Sequence, residues 1–401
     1  MSPTLRLWWL LVTAPLLPCL LINGCSSAPS AEATDTPDTE TLESKSRRIL
    51  GIPDYLEVPA IPEFNQPSPE KIALGRRLFY DQSLSGNQTQ SCSSCHRQEL
   101  AFADGKRTPT GSIGTVLRRN SPGLANAVYH STLTWANNGL LVLEDQLQVP
   151  IRGDNPVELG VSDGNVDEVV ARFDSDASYA ELFRAAFPDS PSGVTVEKII
   201  FALATFCRTL VSADSAYDRF LRGDKTALTE QQRRGAALFN GEDLECFHCH
   251  NGVNLTSSYR DFNTTDGTVR YPFFNTGLYN VDGAGSYPPQ DQGLYELTLN
   301  PADRGRFRPP TLRNVALTAP YMHDGSIATL TDVVKHYAAG GRLIESGPFA
   351  GDGRTSPLKS GLVRGFQISE QELADVVAFL ESLSDEGFLQ NPAFSNPTID
   401  P

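Results

Sequence analysis

The chain has 401 residues, which is room for about two ordinary domains. Its 40% hydrophobic and 20% charged residues indicate a packed globular core rather than disorder. The 33 Lys and Arg residues against 48 Asp and Glu give a formal net charge of −15, which argues against a nucleic-acid-binding protein, because such a surface must neutralise phosphates.

The N-terminal segment has the features of an export signal. A basic residue precedes an apolar run over 7–22, which is broken by two prolines and is short for a membrane span. The run ends in LINGC at 21–25, which resembles the lipobox of bacterial lipoproteins with Cys25 as the lipidated residue. An ordinary cleaved signal is the alternative. We predict a lipoprotein-type signal peptide at 1–24 and a periplasmic protein that meets the membrane only through a lipid anchor.

The segment that follows the signal is polar. It is rich in Ser, Thr, Pro, Asp and Glu and has no aromatic residue as far as about Ser46. Such a composition cannot bury enough apolar surface to fold alone. We predict a disordered tether over residues 25–65.

Two later segments repeat each other. ALGRRLF at 73–79 and RRGAALF at 233–239 each place a glycine three residues before the Leu of a Leu-Phe pair. Ser68-Pro69 and the pair Thr229/Gln232 are helix-start signals for them. Each segment precedes a Cys-x-x-Cys-His motif. The repeat predicts two related domains, 66–225 and 226–385, with a tail at 386–401.

Further helices are predicted at 195–211, 329–339 and 369–383, the last with a Ser369/Glu372 capping box. No sustained strand alternation stands out. Cys207 shares a helical face with several apolar residues and is predicted to be a core thiol.

The two Cys-x-x-Cys-His motifs carry the chemistry. The thiols can add across the vinyl groups of one haem, and the adjacent histidine then faces the iron as the proximal ligand. A zinc site would need four ligands in one place, and a thioredoxin-like pair would need an α/β context. We predict two covalently bound c-type haems and a mostly α fold of two cytochrome c-like haem domains with long irregular loops. The attachment residues are Cys92, Cys95, His96, Cys246, Cys249 and His250.

The other axial position of each iron separates an electron carrier from an enzyme. Between His96 and Tyr129 there is neither Met nor His, so the first haem lacks a nearby sixth ligand and its iron could bind peroxide. His130 is the residual candidate ligand, although a histidine in such a context is more often packed or hydrogen-bonded.

Several motifs around these sites resemble one family. They are LSGN at 84–87, AFADG at 101–105, TLRNV at 311–315, APYMHDG at 319–325 and HYAAGG at 336–341. In this order they resemble the bacterial di-haem cytochrome c peroxidase/MauG family over about residues 66–385. Two more stretches look closest to the MbnH subgroup, whose enzymes use hydrogen peroxide to oxidise a tryptophan of a partner protein, MbnP, to kynurenine. These stretches are NTGLYN at 275–280 with YPP at 287–289, and RGRFR at 304–308.

Tyr337 is the most informative residue under this resemblance. Helical periodicity places it on the buried face of the helix over 329–339, with His336 turned about 100° away. The peroxidase branch has Met at the matching position and MauG-like enzymes have Tyr, which implies that Tyr337 binds the second haem iron. A phenolate favours ferric and higher states, so this haem could hold an oxidising equivalent as high-valent iron. A buried core tyrosine with Met322 as the ligand is the alternative.

The resemblance implies roles for other residues. Trp135, the only tryptophan beyond the signal, matches the family's inter-haem tryptophan, although a core anchor is equally compatible with the sequence. Gln146, Pro150 and Glu158 match the distal pocket over the first haem, where Glu158 would move the peroxide proton. Without the resemblance, Glu158 would be read as a surface residue.

Two weaker assignments complete the set. Asn120, Thr318 and Pro320 match a calcium site between the haems, where oxygen ligands suit a hard cation. Three arginines could pair with haem propionates, with solvated loop arginines as the alternative. These are Arg306, Arg308 and Arg313.

The leading hypothesis is a di-haem peroxidase that uses hydrogen peroxide to oxidise a protein substrate by long-range electron transfer. One alternative is a conventional peroxidase that takes electrons from a small redox protein after its second haem is reduced. The other is a non-catalytic di-haem electron carrier, in which both irons are six-coordinate and inert to peroxide.

Overall fold

The computed structural model describes residues 40–190, 193–265 and 267–398. The predicted signal peptide and Cys25 lie outside these ranges. From Thr41 onward the described residues form one compact unit. No helix among them has the length and apolar character needed to cross a membrane.

The described part of the chain is mostly helical, as predicted. Its α-helices are α1 Leu42–Leu50, α2 Pro69–Tyr80, α3 Leu143–Arg152, α4 Val166–Asp174, α5 Ala177–Ala186, α6 Val196–Cys207, α7 Ala216–Leu221, α8 Glu230–Phe239, α9 Tyr295–Thr298, α10 Leu330–Ala338, α11 Glu370–Glu381 and α12 Glu386–Leu389. Two short antiparallel strand pairs join β1 Phe274–Asn275 to β2 Arg306–Phe307 and β3 Leu343–Ile344 to β4 Gly351–Asp352.

The predicted helix starts are confirmed. The Ser68 side chain accepts a hydrogen bond from Lys71 N at the start of α2. Complete capping boxes begin α8 at Thr229 and α11 at Ser369. The helix predicted over 195–211 ends at Cys207, four residues early, and Cys207 is buried in the core as expected.

The first half is built on a close crossing of α2 and α6. A Cβ placed on Gly75 would lie 2.0 Å from the carbonyl oxygen of Ala202, so only glycine allows this approach. Phe79 and Phe206 pack edge to face beside it, with ring centroids 5.3 Å apart. This crossing anchors the larger of the hydrophobic cores.

The second half repeats the arrangement with α8 and α11. A Cβ on Gly235 would lie 1.9 Å from the carbonyl oxygen of Asp375, and Phe239 packs on Phe379 at 5.1 Å. The glycine that recurs in the sequence therefore marks the same helix crossing in both halves.

The prediction of a disordered tether is wrong for residues 41–65. Thr41 caps α1, and Leu50, Ile52 and Leu56 pack against Ala213 of a distant segment. The polar composition on which the prediction rested ends at about Ser46, and the residues after it are as rich in apolar side chains as the rest of the chain. The partner residues of this segment come from elsewhere in the chain, which a local composition cannot show.

The predicted tail also packs against the body of the protein. The ring of Phe388 lies 5.7 Å from that of Phe102, and Phe394 joins the first hydrophobic core. Arg76 of α2 donates hydrogen bonds to the carbonyl oxygens of Pro392 and Ser395, each at 2.6 Å. The C-terminal residues thus cover the N-terminal half.

Candidate active site

The first Cys-x-x-Cys-His motif is a tight turn on the core of the N-terminal half. Cys92–Ser94 form a 3-10 turn, and Ser91 and Ser94 cap it reciprocally. The His96 Nδ1 lies 2.7 Å from the carbonyl oxygen of Phe102. Because a carbonyl only accepts, Nδ1 carries the proton and Nε2 keeps a free lone pair for a metal.

Glu158 faces this motif. Leu159 N donates to Pro150 O at 2.9 Å, which folds the loop back onto the end of α3. Burial raises the pKa of Cys95 to about 11, and the charges of Asp104 and Glu158 add to this effect. Burial also raises the pKa of Glu158 itself to about 7. Glu158 is therefore a partly buried carboxyl next to the haem-attachment thiols, not a surface residue.

Gln146 and Pro150 lie on α3, the helix that carries this loop. The Gln146 Oε1 is buried and has no hydrogen-bond partner among the described residues. A buried amide oxygen that accepts no hydrogen bond lowers the stability of the folded protein, because it has lost its hydrogen bonds to water. It is the arrangement expected where a small polar molecule is to be bound.

His130 is packed, as its context suggested. Its Nδ1 lies 3.2 Å from Ser258 O, and its ring lines the cavity of the second motif rather than the first. Burial, with Arg308 nearby, holds its pKa well below the ordinary value.

The second motif opens into a large cavity. Cys246, Cys249 and His250 line it, and the His250 Nδ1 lies 3.2 Å from the carbonyl oxygen of Leu255. As in the first half, this contact leaves Nε2 free.

Tyr337, on α10, lines the same cavity. Burial, with the thiols of Cys249 and Cys246, raises its pKa. Its hydroxyl has no hydrogen-bond partner among the described residues. Met322, the alternative ligand, also lines this cavity, from a backbone with a φ of +72°. His336 is buried on another side of α10, where its Nε2 lies 3.1 Å from Thr276 O.

Trp135 is buried at the wall of the cavity. Its Nε1 donates to the carbonyl oxygen of Asn120 at 2.8 Å. The Asn120 Nδ2 donates to Lys106 O at 2.9 Å, and its Oδ1 accepts no hydrogen bond from the described residues. Thr318 and Pro320 line the same cavity. The three residues predicted for calcium thus all line the cavity that Trp135 lines.

The three arginines predicted near propionates have different environments. Arg308 is buried at the cavity and donates to Thr134 O and Pro309 O, with no carboxylate partner among the described residues, and burial lowers its pKa to about 9. Arg313 is also buried, but it pairs with Asp218 through two hydrogen bonds of 2.8 and 3.0 Å. Arg306 is partly exposed and pairs with Asp303. Of the three arginines, Arg308 is therefore the one best suited to bind a haem propionate.

Arg208 was missed by the sequence analysis. It is 1% exposed, and it pairs with Glu144 at 2.8 Å, while its Nε and Nη1 have no partner in the structure. It follows Cys207, whose thiol is close enough to Cys92 to raise the pKa of that residue. No local signal marks a single arginine at the end of a core helix.

These observations fit a c-type haem at each motif. Each site offers two thiols and a histidine whose Nε2 is free, and the second opens into a cavity. Arg308, which has no carboxylate partner among the described residues, suits a propionate of such a group, as do the Nε and Nη1 of Arg208 that its bond to Glu144 leaves free.

The comparisons with known proteins agree with this geometry. A MauG-like protein associated with microbial copper homeostasis superposes with a TM-score of 0.84 and 50% identity, over 86% of this chain and 98% of that one. The diheme peroxidase BthA of Burkholderia thailandensis shares the fold, with a TM-score of 0.62 and 21% identity, over 82% of this chain and 90% of that one.

Sequence relatives and a family model lead to the same assignment. The cytochrome-c peroxidase IdrP1 of Pseudomonas sp. is 36% identical over 81% of this chain and 83% of its own. The methylamine utilization protein MauG of Methylorubrum extorquens is 33% identical over 91% of each chain. The family model for di-haem cytochrome c peroxidases matches residues 69–226. The chain is a haem oxidoreductase that belongs to the di-haem cytochrome c peroxidase and MauG family.

Proposed function

We propose that this protein is a di-haem peroxidase of the MauG/MbnH type, which uses hydrogen peroxide to oxidise a residue of a partner protein. The observation that carries the proposal is Tyr337, whose unpartnered hydroxyl lines the cavity of the second motif. A conventional peroxidase requires a thioether there. When bound, the two haems would supply the redox chemistry, one as the site of peroxide reaction and one as a store of oxidising equivalents.

At the first site the chain itself handles the proton. The O–O bond of peroxide breaks readily only after a proton has moved from its inner to its outer oxygen, because the outer oxygen then leaves as water. Glu158, with a pKa raised to about 7 by burial, can take and return that proton near neutral pH. Gln146 offers a free Oε1 as a hydrogen-bond acceptor for the same molecule. Pro150 fixes the loop that carries Glu158 by accepting the bond from Leu159 N.

Trp135 would carry charge between the two haems. Its ring lines the second cavity, and its Nε1 is held by Asn120 O. The adjacent oxygens of Asn120, Thr318 and Pro320 would hold a calcium ion. Such an ion would fix the indole through Asn120.

The partner follows from the resemblance to the MbnH subgroup and from the copper-associated MauG-like protein, which is 50% identical. We propose an MbnP-like protein substrate in which a tryptophan is oxidised to kynurenine. We also propose a periplasmic location with a lipid anchor at Cys25.

The test is electron paramagnetic resonance of the fully ferric holoprotein before and after stoichiometric hydrogen peroxide. We expect one high-spin and one low-spin ferric signal, which disappear together without prior reduction. A ferric protein that is inert while its half-reduced form reacts would make this a conventional peroxidase. Lack of reaction in either form would make it an electron carrier.

A further inference from the structure

The two stretches that mark the MbnH-like sequence pack into one row of rings. The Tyr279 and Tyr287 centroids are 5.4 Å apart, and those of Tyr287 and Phe307 are 5.9 Å apart. Phe307 stacks on His323 at 3.6 Å, and both rings line the cavity of the second motif. A continuous line of aromatic side chains therefore connects this cavity to Tyr279.

Tyr287, in the middle of the row, is fixed by its neighbours. Gly305 lies against its ring: a Cβ there would be 2.0 Å from Tyr287 Cε2, and the φ of Gly305 is +68°. The Tyr287 hydroxyl donates to Asn275 Oδ1 at 3.1 Å and accepts from Leu278 N at 3.2 Å. The pairing of the two stretches in the sequence thus has a structural reason, since the first supplies Tyr279 and Tyr287 and the second supplies Phe307 and the glycine.

Tyr279 has a different environment, because its hydroxyl donates to a carboxylate. The bond to Asp324 Oδ2 is 2.6 Å, and the guanidinium of Arg342 lies 4.7 Å from the ring centroid. Burial, with the charge of Asp324, raises the pKa of Tyr279, so the phenol keeps its proton at neutral pH. The nearby cation disfavours a positively charged ring. A Tyr279 that loses an electron must therefore release its proton as well, and Asp324 is placed to receive it.

Tyr279 also forms the floor of an open surface pocket. Arg107 and Arg342 line this pocket, and the Phe349 ring stands at 87° to that of Tyr279 with centroids 6.2 Å apart. The Arg107 side chain is 69% exposed, and its Nη2 lies 4.0 Å from Asp324 Oδ2, so it remains open to a second carboxylate on its solvent side. Two arginines at one pocket of a chain with net charge −15 favour a partner segment that carries carboxylates.

We propose that Tyr279 is the relay residue through which oxidising equivalents leave this protein, and that an aromatic side chain of a protein partner, flanked by carboxylates, docks against it in the Arg107/Arg342 pocket. The proposal rests on the proposed peroxidase function. Reduction of one hydrogen peroxide to two waters takes two electrons and two protons. For each of these electrons, Tyr279 gives up one electron toward the cavity and passes its hydroxyl proton to Asp324. It then regains an electron from the docked aromatic residue and the proton from Asp324. The donor loses two electrons per peroxide and its protons enter the solvent, which balances the two consumed.

The first test traps the intermediate on Tyr279. Full-length holoprotein with ring-deuterated tyrosine is mixed with one equivalent of hydrogen peroxide and no donor, then frozen for electron paramagnetic resonance. A parallel sample receives a nitroso spin trap, and the adducts are located by peptide mass spectrometry. We expect a tyrosyl signal that narrows on deuteration and an adduct on Tyr279. Tyr279→Phe should reduce that signal at least about tenfold.

The control is Tyr271→Phe, since Tyr271 is exposed and lies outside this row. It should leave the signal unchanged. The haem absorption change on peroxide addition is recorded in every sample. If that change is normal but the tyrosyl signal persists in Tyr279→Phe, or is missing from the unsubstituted protein, the relay is wrong and the peroxidase function stands. A missing haem response overturns both proposals.

The second test concerns the pocket. Two short peptides, each with one tryptophan, are compared as donors at low salt; glutamates flank the tryptophan in one and lysines in the other. We expect the acidic peptide to be oxidised at least about fivefold faster. Arg107→Glu should remove this preference while the haem response stays intact. Equal rates for the two peptides would contradict the docking site.

Discussion

In both halves of the protein, a helix with a central glycine crosses a second helix, and a histidine follows the cysteine motif. Gly75 and Gly235 meet Ala202 and Asp375 in matching contacts. His96 and His250 each direct Nδ1 to a backbone carbonyl, which leaves Nε2 for iron.

The halves differ in the other side chains near their motifs. In the first, the carboxyl of Glu158 lies near the thiol of Cys95, and Gln146 has a free amide oxygen, whereas in the second Tyr337 and Trp135 line the cavity. Haem attachment is thus a property of the repeated part. Under the proposed function, one half reacts with peroxide and the other stores oxidising equivalents, and this difference would depend on residues that the repeat does not contain.

The strongest test of this contrast is Glu158→Gln. We expect the reaction with peroxide to slow by about a hundredfold or more, because the amide cannot take a proton. The carboxylate is the active base and burial raises its pKa to about 7, so the rate in the unsubstituted protein should rise with pH through that value. The rise should vanish in the variant. Stopped-flow absorbance of the holoprotein measures both effects.

The control for this variant is Asp163→Asn, since the Asp163 side chain is 94% exposed nearby on the chain. It should retain both the rate and the pH profile. An unchanged rate in Glu158→Gln would show that Glu158 does not transfer the peroxide proton.

Tyr337→Met should make the second half resemble that of a conventional peroxidase. A thioether stabilises ferrous iron, so we expect the reduction potential of the second haem to rise by on the order of 0.1 V or more. The first haem should keep its potential. Potentiometric titration of the holoprotein separates the two, and Tyr337→Phe shows the effect of losing the oxygen alone. Equal potentials in all three proteins would favour Met322 as the ligand.

Gly75→Ala and Gly235→Ala test whether the repeated crossings are equivalent. Each added methyl group meets a carbonyl oxygen at 2.0 or 1.9 Å, and overpacking of this kind costs about 1–3 kcal/mol of unfolding free energy. Urea titration of the holoproteins gives this quantity. Gly361→Ala is the control, because no atom lies within 4 Å of a Cβ there. If only one of the two variants loses unfolding free energy, the two halves differ in the packing of their helix crossings as well.

The smallest expected effect concerns the helix starts. Ser68→Ala and Thr229→Ala each remove an N-cap hydrogen bond, at a cost of about 1 kcal/mol. Thr229 also belongs to a capping box, so its removal should cost slightly more than that of Ser68. Thr229→Ser keeps the hydroxyl and should restore stability in the same urea titration. A larger loss of stability in Ser68→Ala than in Thr229→Ala would contradict this prediction.

The sequence predicted what depends on neighbours along the chain. The caps at Ser68 and Thr229 and the two haem motifs involve residues a few positions apart, and they lie in the structure as expected. The fold of residues 41–65 was missed because its apolar partners, such as Ala213, lie far away in sequence.

The candidate site likewise contains features that depend on neighbours along the chain and features that depend on distant residues. Arg308 and Arg313 are alike in sequence context, yet Asp218, 95 residues from Arg313, neutralises only the latter. The open guanidinium of Arg208 likewise depends on which groups surround it after folding. A pattern along the chain identifies attachment residues, whereas the charge balance of a buried site is set by distant partners.

The C-terminal residues have a consequence for biogenesis. Phe388 packs on Phe102, whose carbonyl holds His96, and Phe394 fills the same core. Both residues follow the two haem motifs in the chain and are synthesised after them. The first haem motif therefore stays uncovered until Phe388 and Phe394 have been made, whereas the second motif can be enclosed by α11 earlier. We expect a chain truncated before Phe388 to load its first haem but fail to seal it from solvent.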